Sequence, residues 1–136
     1  MTAALHEQMP PNAIVMMLAH LAPLGPCDIE RKPDDPLPFR QINMIDGTYD
    51  ANLFYCTAVL SIHTFGKTIT EAQREGIKTD RRIMLLGKDI VDVPMPDGTV
   101  ANVDYIDFQQ LSTLREYKAD NAFRLKAICE LGLSFI

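Results

Sequence analysis

Between Leu53 and Phe65 the sequence LFYCTAVLSIHTF alternates strictly, with Phe54, Cys56, Ala58, Leu60 and Ile62 on one side and Tyr55, Thr57, Val59, Ser61 and His63 on the other. A period of two sends successive side chains to opposite faces of a pleated strand, so this run predicts a long β-strand with one apolar face. The C-terminal run AFRLKAICELGLSFI repeats the pattern: Phe123, Leu125, Ala127, Cys129, Leu131, Leu133 and Phe135 alternate with Arg124, Lys126, Ile128 and Glu130. Two such strands need a partner layer to cover their apolar sides.

The partner layer is predicted to be helical. In PNAIVMMLAHLA (11–22) proline stands at a tolerated first-turn position, and Pro23 and Gly25 punctuate the far end, giving a short helix that is apolar on more than one stripe. A second helix opens at Thr68, with Glu71 in the capping-box position, and closes at Gly87. Gly76 in its middle costs up to ~1 kcal/mol relative to Ala, which predicts close packing on a sheet.

Seven prolines (Pro10, Pro11, Pro23, Pro26, Pro33, Pro36, Pro38) fall in the first 38 residues, so the early elements are short. Cys27–Arg31 reads as a brief strand, KPDDPLP (32–38) as an extended loop, PFRQINMI (38–45) as a strand and GTYDAN (47–52) as its turn. Later, PDG (96–98) marks a hairpin between DIVDVPM and TVANVDYIDF, with its first strand pushed to an edge by Pro94 and Pro96. Residues 109–121 carry no decisive pattern. The expected fold is α+β: a small mixed or mainly antiparallel sheet, two helices packed on it and a β-hairpin. Residues 1–10 are expected as a flexible arm and 11–136 as a single domain.

A chain of 136 residues with 47% hydrophobic and 23% charged residues has an ordinary globular composition. Surface scaling lets about two-thirds of its area be buried, so it needs no staples. The apolar stretch Ala13–Leu24 is interrupted by His20 and Pro23, is shorter than the ~20 residues of a membrane span, and lacks the charged leader of a signal peptide. Cys27, Cys56 and Cys129 have no C-x-x-C spacing and read as reduced, buried thiols. The net charge of −5, with no long basic run, argues against a protein that grips nucleic acid directly.

Catalytic signatures are missing from the sequence. The histidines are His6 in the arm, His20 on an apolar helix, where a hydrogen-bonded role outweighs that of a base, and His63, expected to be exposed near a strand end. No G-x-S-x-G, P-loop or G-x-G-x-x-G motif occurs. Asp89, Asp92, Asp97, Asp104 and Asp107 crowd together, but Asp104 and Asp107 are an odd number apart and point to opposite faces of a strand; a solvated acidic hairpin is the better reading than a metal site. Asp34, Asp35, Tyr49 and Asp50 sit in the loops flanking the 38–45 strand, with turn chemistry and an interface or channel lining as competing roles. The first helix and the two long strands carry more apolar surface than a small sheet and two helices easily hide, so burial between subunits competes with a well-filled core.

The short apolar helix ending LAPLG, the segment CDIERKPDDPLPF leading to a hairpin ending VLSIHTFGKT, the helix start TEAQRE, the PDGTV hairpin and the alternating last strand together resemble the tail-terminator proteins of long-tailed bacteriophages, over roughly residues 12–132. The resemblance implies a non-enzymatic virion protein made in the host cytoplasm, with no cofactor or metal and no membrane partner. It implies a ring, typically six-fold, that caps the head-proximal end of the tail tube, stops its polymerisation and joins it to the neck or connector. The implied partners are further copies of itself, the tail tube protein and the neck protein, with genome DNA passing through unheld. Six copies at −5 each carry −30, which suits a hole that repels DNA. On this reading Asp34, Asp35, Tyr49 and Asp50 lie toward the lumen or a ring face. A head–tail connector or stopper is the alternative of the same class. A small enzymatic or ligand-binding α+β domain is the alternative of a different class and requires a pocket with convergent polar groups.

Overall fold

The computed structural model describes residues 12–50, 55–88, 92–96, 98, 100–101, 103–115 and 122–134. The expected arm at 1–10 and His6, Asp89 and Asp97 lie outside them.

Asn12, rather than Pro11, opens the first helix: its Oδ1 accepts from the amides of Ile14 and Val15 at 3.0 and 3.1 Å. These are otherwise orphaned first-turn donors. Helix α1 (Ala13–Leu21) runs into a 3-10 turn at Ala22–Leu24. Strand β1 (Cys27–Asp28) is shorter than expected, and the Leu37–Pro38 peptide before the next strand is cis.

Strand β2 (Phe39–Asp50) corrects the expectation most clearly, because the segment read as a turn from Gly47 continues the strand. Gly47, Thr48, Tyr49 and Asp50 pair with Ala58, Thr57, Cys56 and Tyr55 of β3 (Tyr55–Gly66). An extra residue, Ile45, is accommodated as a bulge between Met44 and Asp46, and the bulge lets the ladder resume with Gly47 in it.

Helix α2 (Ile69–Lys88) begins as the capping pattern predicts, with the Glu71 amide donating to Thr68 Oγ1 at 3.0 Å. Two short strands, β4 (Val93–Pro94) and β5 (Val100–Ala101), pair antiparallel as the expected hairpin, with the Gly98 amide donating to the Met95 carbonyl at 3.0 Å. The second arm of that hairpin stops at Ala101, and a separate long strand, β6 (Tyr105–Arg115), takes up much of the segment that carried no pattern. It contains two register shifts, between Phe108 and Gln110 and between Gln110 and Thr113. These shifts break the period-two alternation after Phe108, so that although the run TVANVDYIDF predicts strand through Tyr105–Phe108, the rest of β6 shows no strand pattern in its sequence. Strand β7 (Phe123–Ser134) follows.

The main sheet has the order β1-β2-β3-β7-β6, parallel only at β1·β2 and antiparallel elsewhere. The fold is α+β, with two helices, this five-stranded mixed sheet and the two-stranded hairpin sheet. One face of the main sheet supplies Ile42, Ala58, Leu60, Ile62, Cys129, Leu131 and Leu133 to a core closed by Met16, Met17 and Leu21 of α1, Ile83 and Leu86 of α2, and Val93 and Ala101 of the hairpin. The apolar faces of β3 and β7 are thus filled within the chain.

Polar contacts lock α2 across that face. Arg40 of β2, 0% exposed, donates from Nη2 to Glu75 Oε2 at 2.8 Å and from Nε to Thr79 Oγ1 at 2.8 Å. On the other side Asp80 accepts from the Ser112 amide and hydroxyl of β6 at 3.0 and 2.7 Å. Gly76 between them is where the close approach occurs: a Cβ there would stand 2.7 Å from Leu125 Cδ2 and 3.2 Å from Ser112 Cβ. His20 is buried and fixed by a reciprocal clamp, its Nε2 2.6 Å from the Arg82 carbonyl while Arg82 Nε donates to the His20 carbonyl at 2.7 Å. Burial is the main cause of its lowered pKa, so the ring is neutral and donates.

Candidate functional site

Two features of the sheet stand out: its face opposite the helices, at one end of which Phe39, Phe65 and Ala122 form a small second core with Leu37 of the loop before β2, and its two edges.

The ladder registers arrange the open face in rows. At one end Phe65 has Phe39 on β2 and Arg124 on β7 as neighbours; the next row is Gln41, His63 and Lys126; then come Asn43, Ser61 and Ile128. Beyond them Asp46, Val59 and Glu130 stand together with Asp107 of β6, followed by Thr48, Thr57 and Gly132 with Tyr105. The open face is therefore polarised along the strands: cations at one end, a neutral middle, and a row of three carboxylates at the other. Tyr105 donates its hydroxyl to Glu130 Oε2 at 3.2 Å within the acidic end.

His63 corrects the expectation of exposure: it is 8% exposed, although it lies on the face that no described helix covers. Its ladder neighbours are Gln41 on β2 and Lys126 on β7, and its Nε2 lies 3.3 Å from Ser61 Oγ. Burial, with the positive charges of Arg124 and Lys126, lowers its pKa from 6.5 to about 4.

The four residues singled out in sequence do not form one patch. Asp34 is exposed and Asp35 half-buried in the loop before β2, whereas Tyr49 and Asp50 lie at the far end of that strand. Eleven residue steps of β-strand separate the two pairs by roughly 35 Å. Asp35 performs turn chemistry, its carboxylate accepting from the Lys32 amide at 2.7 Å and its amide donating to the Lys32 carbonyl at 3.0 Å. Asp92, Asp104 and Asp107 are exposed, and among the described residues no group of three His, Cys, Asp or Glu could hold a metal ion. Cys27, Cys56 and Cys129 are unpaired, and burial pushes Cys129 up to about 12.

The edges carry the residues that the sequence reading missed. Strand β1 pairs only with Arg40 and Gln41, so β2 from Ile42 onward has an open outer side, where Met44 and Ile45 are 52% and 53% exposed beside exposed Ile29. Strand β6 is the opposite edge and presents Leu111 and Leu114, the first of them 51% exposed. By helical periodicity exposed Ile77 and Met84 fall on the same flank of α2 as Asp80, which bonds β6, so they extend this second apolar strip. The signal for Ile77 and Met84 was present in sequence, since both sit off the stripe of Ile69, Ala72, Gly76, Ile83 and Leu86 expected to face the sheet; of that stripe, Ile69 in the first turn is exposed. For Leu111 the bulges left none.

No family model matches the sequence, and no curated protein matches it. Among solved structures the chain is similar to a protein of the virion of a native gene transfer agent particle, with a TM-score of 0.49 and 10% sequence identity over 90% of this chain and 86% of that one.

Proposed function

We propose that this chain is a bacteriophage-type virion structural protein, a tail terminator that closes into a ring through its two sheet edges. The observation that carries the reading is that the edges are open, apolar-flanked and unlike each other. An isologous contact needs one self-complementary patch, whereas two different patches at opposite ends of a subunit build a head-to-tail ring. Strand direction is compatible with this. The sequence β2-β3-β7-β6 is an even run of antiparallel strands, so β6 of one copy meets β2 of the next antiparallel, and the sheet continues around the ring.

In such a ring the helix-covered face is the thicker side of each wedge and turns outward. The open face then lines the hole. Its rows repeat as bands, one basic and one acidic, while the loop with Asp34 and Asp35 and the strand end with Tyr49 and Asp50 mark the two opposite mouths. Basic groups confined to one band, with an acidic band and a net negative charge beyond it, let DNA be touched at one level and slide through the rest of the hole. Termination follows from one mouth complementing the last tube ring while the other offers tube subunits no matching surface. The protein does this by shape and charge, without catalysis.

Native mass measurement and negative-stain imaging of the purified chain, alone and with tail-tube subunits, test the reading. A closed ring, six-fold on the family resemblance, that caps tube ends is expected. A strict monomer under both conditions overturns it, and a ring that leaves tube growth unchanged moves the protein to the neck.

A further inference from the structure

We propose that the basic end of the open face is a binding site for a phosphate-class oxyanion, built by His63, Lys126, Arg124 and Arg31. Lys126 is directly opposite His63 in the β3·β7 ladder, and Arg124 is directly opposite Phe65. The Arg31 guanidinium carbon lies 5.4 Å from the centroid of that same Phe65 ring, which brings a third cation to the adjacent row from the loop before β2. On the β2 side the neighbour of His63 is neutral Gln41, whose Oε1 accepts from the Arg31 amide at 3.1 Å. The charges felt at the imidazole are those of Arg124 and Lys126, both positive. Lys126 forms no ion pair among the described residues.

A second, independent observation points to a ligand. His63 is nine-tenths buried, with Nε2 3.3 Å from Ser61 Oγ, yet its Nδ1 has no hydrogen-bond partner. A buried polar atom without a partner is rare in a folded chain and costs stability. Guanidinium and ammonium groups on the same and the adjacent row as a ring nitrogen able to take up a proton match the acceptor oxygens of a tetrahedral oxyanion. Burial first, and then the charges of Arg124 and Lys126, keep the imidazole neutral, and a bound oxyanion offsets the cations' share. Binding therefore draws a proton onto His63 and tightens as pH falls, by the same linkage that couples any ligand to a titrating group.

A free phosphate and the phosphodiester backbone of DNA share this chemistry. The site belongs to one chain's face and does not rest on ring closure. In the proposed ring, however, it forms the basic band.

The test follows the imidazole signals of His63 and His20 by NMR through a pH titration in inorganic phosphate and in chloride at equal ionic strength. His20, clamped between α1 and α2, serves as the internal reference. In phosphate the His63 titration is expected to move up by about one pH unit, a tenfold preference of the ligand for the protonated ring, while His20 stays in place. Lys126→Gln and Arg124→Gln are expected to weaken the phosphate response several-fold. A short DNA duplex that reproduces the effect and competes with phosphate assigns the site to phosphodiesters; failure to compete assigns it to free phosphate. Identical His63 titrations in phosphate and chloride, or a full response in Lys126→Gln, overturn the proposal, whether or not rings form.

Discussion

The two faces of strand β3 are almost equally hidden but are hidden by different means. Leu60 and Ile62 are covered by helices and an apolar core, whereas Ser61 and His63, one residue away on the other side, are buried on the face that no described helix covers. In the ladder they lie between the polar Gln41 and Asn43 of β2 and Lys126 and Ile128 of β7. Burial under a helix is dry and is held by packing. Burial among polar neighbours leaves a charge pattern along that face. The first kind of burial builds the fold, and the second leaves the sheet a face with which to work.

The largest expected effect is on the helix-covered face. Arg40→Met strands the Glu75 carboxylate under α2 and should cost about 3–5 kcal/mol in denaturant unfolding, with most of it recovered in the double variant Arg40→Met, Glu75→Met. If the single and double variants lose equally, the ion pair is not what ties α2 to β2. A direct contrast of the faces comes next. Leu60→Ala should cost about 2–5 kcal/mol by leaving a cavity, and Ser61→Ala about 1 kcal/mol or less. Equal losses would mean that the open face is as tightly packed as the core.

The difference also has a pH signature. The folded-state pKa of His63 is about 4 against 6.5 for the free side chain, so between those values the unfolded chain binds more protons. The stability tied to this ring is complete above pH 6.5 and is lost as pH falls to about 4, by at most on the order of 3 kcal/mol. The lowered pKa of His20 acts in the same direction. For Glu75, burial raises the pKa but is outweighed by hydrogen bonds and charge from Arg40 and Lys78; its net lowered pKa extends the loss below the usual carboxylate range. Urea midpoints measured across this window should decline toward acid, and His63→Gln should flatten the upper part of the slope.

Strands β3 and β7 and helix α2 were legible in sequence because each obeys its period without interruption and each is punctuated by Gly, Pro or a capping threonine. Gly76 announced its close approach to the sheet, and Gly98, with φ of 89°, supports the turn that PDG indicated. What was hidden has a common physical cause. The bulge at Ile45 and the two register shifts in β6 interrupt the alternation, so the sequence pattern of β2 ends early, and of β6 only Tyr105–Phe108 reads as strand, and that as part of the hairpin. These irregular strands are the two edges, where a regular pattern would invite uncontrolled pairing. The candidate aspartates were visible as loop residues. That they belong to opposite ends of the sheet, and that charge is sorted into rows, depends on strand register, which the sequence does not encode locally.

The central claim is that two unlike edges join head to tail, and Ile45→Asp and Leu111→Asp, both at exposed bulge positions, test it most directly by native mass measurement. Each variant keeps one competent edge. Wild type is predicted to give a closed ring, either variant alone a monomer, and their mixture a one-to-one pair that grows no further. A variant that dimerises on its own, or a wild-type chain that stays monomeric, would contradict the account.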